Sequence, residues 1–70
     1  MIIQILELGP ESAFYEDRNY LEGGVFETTK ESIVRKNYLS DLVPLKFPTN
    51  FKWHIKSFHF YDVKWKILFR

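Results

Sequence analysis

A mainly β fold is what this 70-residue sequence predicts, in one domain spanning residues 1–70, and three features carry the prediction. The chain opens on an apolar, β-branched run, "IIQILEL" (2–8), and its tail ends on an alternating one, "VKWKILF" (63–69), both patterns that suit strands. Glycine or proline punctuates the interval at residues 9–10, 23–24, 44 and 48, as turns and reversals require. Only one segment, 30–42, carries a helical period. The architecture is therefore a small barrel or a strongly twisted antiparallel sheet with one short helix, and the class becomes α+β if that helix forms.

The first run, residues 2–9, is so continuously apolar that it suits a strand covered on both sides for much of its length,. Gly9-Pro10 ends it. In "AFYEDRNYLEGG", Phe14, Tyr15, Tyr20 and Leu21 are too apolar for a linker, while "EDRN" is too polar for a central strand. This stretch predicts a structured excursion that folds its aromatics back onto the core. Gly23-Gly24 is a tight reversal or a bulge leading into the strand "VFETT", residues 25–29,. Thr28 and Glu31 have capping-box spacing, Val34, Tyr38 and Leu42 recur at i, i+4 and i+8, and Pro44 stops the pattern. That predicts a helix over about 30–42. The competing arrangement is a hairpin reversing at Lys36-Asn37. "PLKFPTN" (44–50) is loop or edge,.

The tail "FKWHIKSFHFYDVKWKILFR" interleaves aromatics and cations in sequence, but side chains alternate across a strand. Val63, Trp65, Ile67 and Phe69 share one face and Lys64 and Lys66 the other; Trp53 and Ile55 likewise oppose Lys52, His54 and Lys56. Two amphipathic strands result, Phe51–Lys56 and Val63–Phe69, with tryptophans inward. Phe58 and Phe60 share the parity of the lysines. Either the phase resets within Ser57–Asp62, which a twenty-residue tail favours over one unbroken strand,, or an aromatic pair lies exposed beside cations.

Charge is divided along the chain. Residues 1–34 hold two cations against seven acids, a balance of −5, and residues 35–70 hold eight cations against two acids, a balance of +6. Strands of the two halves can neutralise each other in the fold, or the asymmetry marks a partner surface, including acidic-to-basic contact between copies in a homo-oligomer. The absence of cysteine excludes disulfides, thiolate metal sites and thiol catalysis,. No secretory signal and no run of about 18 apolar residues is present, which points to a soluble, cytoplasmic protein with no membrane partner.

Chemistry-bearing motifs are missing: there is no GxGxxG, P-loop, GxSxG or HExxH,. The odd spacing of His54 and His59 places them on opposite faces of a strand, so no metal site is expected. Glu16 and Asp17 diverge on extended backbone, which does not suit paired acid–base work. The serines have no recognisable base partner. The expectation is a non-enzymatic protein without cofactor.

The leading "IIQILEL", the Tyr-acid-basic excursion "FYEDRNYLEGGVFE" and the closing "FYDVKWKIL" together resemble the small SH3-like β-barrels common among short phage and mobile-element proteins. The resemblance covers about half the chain. It implies that the excursion is a long loop after the first strand, that a 3₁₀ turn precedes the last strand, and that a helix at 30–42 would be an insertion. It implies binding rather than catalysis, by loop aromatics and the turn before the last strand: Phe14, Tyr15, Tyr20 and Tyr61, with Trp53 at the rim. The groove pattern for proline-rich peptides is absent.

The function expected on these grounds is a phage-type accessory module that binds and blocks or sequesters a host component. Phe14, Tyr15, Glu16, Asp17, Tyr20 and Tyr61 would form the contact, aromatic anchors ringed by acid suiting a basic protein surface. The alternative is nucleic-acid or nucleotide binding through Lys52, His54, Lys56, Lys64 and Lys66, helped by Phe58 and Phe60.

Overall fold

A computed structural model describes residues 1–49 and 54–70. Five strands form one antiparallel sheet: β1 (Ile2–Leu8), β2 (Val25–Arg35), β3 (Tyr38–Lys46), β4 (Phe58–Tyr61) and β5 (Val63–Phe69). The excursion between β1 and β2 carries a 3₁₀ turn, Tyr15–Asp17, and a one-turn helix, α1 (Arg18–Leu21). The fold is mainly β, as expected. The strand order is β4-β3-β2-β1-β5, so the sheet is open rather than closed into a barrel, with β4 and β5 at its two edges.

The helix expected over 30–42 does not form; the competing hairpin does. β2 and β3 pair from Val25↔Lys46 to Arg35↔Tyr38 and reverse at Lys36-Asn37. Val34, Leu39 and Leu42 still turn toward the core, which is why a helical spacing was legible, but Tyr38 faces out. The register shifts between Thr28 and Ile33. There Ser32 Oγ accepts the Thr29 N–H (2.7 Å) and donates to the Asp41 carbonyl (2.7 Å), so Thr28–Glu31 belongs to a bulge and not to a capping box. The reversal at Lys36-Asn37 uses no positive φ, unlike the turns that best fit two-residue hairpins. It is held from outside: the Trp65 indole N–H, on β5, donates to the carbonyls of Arg35 (3.3 Å) and Lys36 (3.1 Å).

β1 is not covered on both faces. Ile3, Ile5 and Leu8 are buried, while Leu6 and Glu7 are exposed. Those buried positions change parity because Ile5 pairs with Trp65 and Glu7 with Lys64, leaving Leu6 as the extra residue of a bulge,.

The core is an aromatic cluster framed by aliphatic strand residues. Phe26, Phe58 and Phe60 are fully buried, with Phe26 edge-on to Phe47, Phe58 and Phe60 at 5.4–5.9 Å. Phe58 and Phe60 stack at 5.7 Å and 11°. Such a ring contributes about 1.5–3 kcal/mol by burial and about 0.5–1.5 kcal/mol more by geometry, which lets a short chain dispense with cross-links. Ile3, Ile5, Leu8, Leu21, Leu39, Leu42 and Val63 complete the core.

Phe58 and Phe60 thus point inward, and the phase does reset, though without a 3₁₀ turn. Residues 54–57 lie outside any strand, and Asp62, at φ 54°, separates β4 from β5. One residue in the left-handed region moves the buried parity from Phe58 and Phe60 to Val63. The rest of the expected Phe51–Lys56 strand, including Lys52 and Trp53, lies outside the described residues.

Asp62 also ties down the excursion. Its carbonyl accepts the Gly9 N–H (2.7 Å) and its carboxylate accepts the Glu11 N–H (3.1 Å). A Cβ at position 9 would overlap that carboxylate. We therefore predict that Gly9→Ala costs about 1.5–3 kcal/mol, the worth of a charge-assisted bond, because the carboxylate must swing away. In an Asp62→Gly background, which keeps the backbone conformation, the same change should cost less than about 0.5 kcal/mol. Urea unfolding of the four proteins measures this, and equal costs in both backgrounds would refute the coupling. Trp65→Phe, which keeps a ring but removes the indole N–H, should cost about 1–2 kcal/mol in the same assay, with loss of amide protection at the β2–β3 reversal.

Candidate partner-binding surface

The excursion, residues 9–24, is fastened at both ends to β1. Gly23 N–H donates to the Ile5 carbonyl (2.7 Å), Ile5 N–H to Gly24 (3.0 Å), and the Gln4 side-chain amide to Gly23 (3.0 Å). The Leu8 N–H is capped by the Glu22 carboxylate at 2.9 Å. Between these anchors the backbone turns on itself through Ser12→Gly9 (3.0 Å), Tyr15→Ser12 (3.2 Å), Asp17→Phe14 (3.0 Å) and Glu22→Arg18 (2.8 Å). The segment is short of regular structure yet closed by its own hydrogen bonds, so its side chains are held in fixed directions.

Those side chains sort by chemistry. Leu21 is fully buried, and Phe14 packs on the core at 5.4 Å from Phe58 and 5.6 Å from Phe60. The expected folding-back of aromatics occurs, and it removes Phe14 from the set of partner contacts: it is a core residue. Tyr15 is half-buried under the Arg18 guanidinium, 4.2 Å from the ring centroid, and Arg18 Nη1 also donates to the Tyr15 carbonyl (3.0 Å). Glu16 and Tyr20 are exposed and Asp17 is half-buried.

Tyr61 does not join them. It points from the outer face of β4, opposite Tyr38 of β3, whereas Phe14 covers the inner face through Phe60. What remains together is Tyr15, Glu16, Asp17 and Tyr20 on the one pinned segment.

Electrostatics favours that segment further. The two charge halves meet in one lysine–carboxylate pair among the described residues, Glu7–Lys64 at 3.8 Å, with both groups well exposed. Such a pair is worth little. Glu22 is occupied by the β1 backbone and Arg18 by Tyr15. Glu11, Glu16 and Asp17 have no cation within ion-pair distance among the described residues. The acidic character read from the sequence therefore survives folding. A cleft of about 320 Å³ opens at the base of the excursion between Glu7, Pro10, Asn37, Asp62 and Lys64, adding two carboxylates to the same side of the chain's charge map.

The basic set is dispersed. Lys64 and Lys66 lie on the outer face of β5, opposite Glu7 and Gln4, while His54 and Lys56 are exposed in the coil before β4. Phe58 and Phe60 are fully buried, so the stacking platform required of them does not exist. Lys52 falls outside the described residues.

One arrangement went unseen in the sequence. Ser40 Oγ lies 3.0 Å from His59 Nδ1, so a serine does have a histidine beside it, with Asp41 Oδ1 4.0 Å from the same nitrogen. The Asp41 N–H also points to Nδ1, at 3.4 Å. A relay would need serine and carboxylate on different ring nitrogens; here one nitrogen serves both, and Ser40 is buried. The group clasps β3 to β4 where Asp41 takes φ 57° and the register shifts. Cross-strand proximity of this kind depends on register, and no local motif announces it.

Among the described residues there is no group of three or more His, Cys, Asp or Glu placed to hold a metal, and no helix long and apolar enough to cross a membrane. Comparison with protein-family models, curated proteins and solved structures finds no match.

The acids of the excursion should separate by mutation. Glu22→Ala should lower stability by about 1–2 kcal/mol through the exposed end of β1, whereas Glu16→Ala should stay within about 0.5 kcal/mol of the parent. Chemical denaturation distinguishes the two, and equal effects would contradict the assignment of Glu22 to structure and Glu16 to surface.

Proposed function

We propose that the chain is a non-enzymatic binding module that occupies a basic surface of a partner protein through Tyr15, Glu16, Asp17 and Tyr20. The observation that carries this reading is the set of unpaired carboxylates beside two partly exposed tyrosines, on a segment fixed at both ends. Tyrosine gives large contact area at low entropic cost. Unpaired acids steer a basic partner and set its orientation more than they add to final affinity. A segment already closed by its own hydrogen bonds loses little freedom on binding. Proteins whose own ligand is nucleic acid present surfaces of this kind, so occupying one would block it.

Replacing both Tyr15 and Tyr20 by alanine should abolish capture of a basic protein from nuclease-treated lysate while the far-UV spectrum remains that of the folded parent. Glu16→Gln with Asp17→Asn should slow association and flatten its salt dependence, leaving dissociation nearly unchanged. Undiminished capture by the tyrosine variant, or recovery of nucleic acid in place of protein, would overturn the proposal.

A further inference from the structure

We propose that the open edge of β5 is a second binding surface, taking an extended peptide of alternating acidic and apolar residues as a sixth strand. This goes beyond the reading above and concerns a different part of the molecule and a ligand of opposite charge.

The edge is real and unequally covered. β5 pairs only with β1. Its first half is flanked by the β2–β3 reversal, which meets it through Trp65 and across the cleft at Asn37 and Val63. Its second half, Lys66–Phe69, has no strand on its outer side among the described residues. An unpaired row of backbone donors and acceptors is a template for another strand.

The same four residues form an apolar exposure. Phe69 is 69% exposed, the highest value among the large apolar side chains described, with Ile67 and Leu68 at 37% and 38%. Ile67 shares the face of Ile3, its partner in β1, whereas Leu68 is the extra residue where Ile2 pairs with Phe69. Met1 is exposed at the neighbouring start of β1. Clustered exposure at a strand edge is what marks an interaction site, as scattered exposure does not.

Charge then selects the occupant. Lys64, Lys66 and Arg70 punctuate this strand, and Lys64 alone has a carboxylate near it; Lys66 stands opposite Gln4 and Arg70 has no ion-pair partner among the described residues. Pairing with the β5 of a second copy would set these cations against their own kind, which is destabilising across strands. The bulge at Leu68 further interrupts such pairing. An incoming strand with acids opposite the cations and apolar residues over Ile67 and Phe69 meets neither obstacle. Edge lysines in this arrangement exclude self-association and admit an acidic ligand by the same interaction.

The test uses the whole protein with two acetylated octapeptides, one alternating Glu and Val and one alternating Lys and Val, and with vesicles containing anionic phospholipid. The Glu–Val peptide should bind and confer new hydrogen-exchange protection on outward amides between Lys66 and Phe69. Lys66→Glu combined with Arg70→Glu should weaken it by about tenfold or more and should allow the Lys–Val peptide to bind instead. The Tyr15/Tyr20 alanine variant should bind the Glu–Val peptide as the parent does, which separates this surface from the excursion. No binding, binding of both peptides alike, unchanged exchange on β5, or binding of vesicles alone would each overturn the proposal.

Discussion

At Asp62 the backbone takes φ 54°, and the same residue holds Gly9 through its carbonyl and Glu11 through its carboxylate. The left-handed conformation costs a non-glycine residue on the order of 1–3 kcal/mol, less for aspartate than for a branched side chain. It persists because three arrangements depend on it. It shifts the buried parity, so that Phe60 and Val63 both face the core although they are three residues apart. It lets one length of chain leave one edge of the sheet as β4 and enter the other as β5. And it supplies the two acceptors that launch the excursion from the end of β1.

Crossing from edge to edge places β5 where its inner face can reach β2 and β3. Trp65 then holds the Lys36-Asn37 reversal, a turn whose own residues lack the conformational freedom that commonly makes such turns tight. The central hairpin and the kink are thereby coupled, although no side chain of one touches the other. Between them sits the phenylalanine cluster, to which the excursion contributes Phe14. A sheet with two free edges would ordinarily leave one face of its core thin. The excursion lies over it, and in doing so turns its polar residues outward as a group.

Much of the strand pattern could be read from residue order, because alternation such as "VKWKILF" reports directly on which face is wet. The excursion could too, since Phe14 and Leu21 are too apolar to be left in solvent. The misreading at 30–42 has a physical cause. Val34 and Leu42 belong to both a helical and a bulged β pattern, and the choice falls to Trp65 and Asp41, neither of which is local to the turn. The parity of Phe58 and Phe60 turned on a single left-handed residue, and aspartate at such a position is not distinguishable in sequence from aspartate in a strand. Of the candidate site, the acids and tyrosines on the excursion were legible; the inward aim of Phe14 away from them, and the separation of Tyr61 onto the opposite face, required strand register.

The charge division along the chain acquires a different meaning once the fold is known. Sequential halves need not be spatial halves, and in a meander they commonly interleave until charges cancel. Here the β1–β5 ladder does bring the halves together, yet it matches Glu7 with Lys64 and then Gln4 with Lys66. One pair is neutralised and the next is left cationic. Opposite signs therefore persist on different elements, acid on the pinned excursion and base on the edge strand. Their mutual attraction within one molecule is limited, because exposed charges farther apart than about 8–10 Å are screened at physiological salt. Their attraction for ligands at contact is not. A small protein that retains two such surfaces, after building its core almost wholly from phenylalanine and aliphatic residues, has kept its charged side chains out of the work of folding and available for binding.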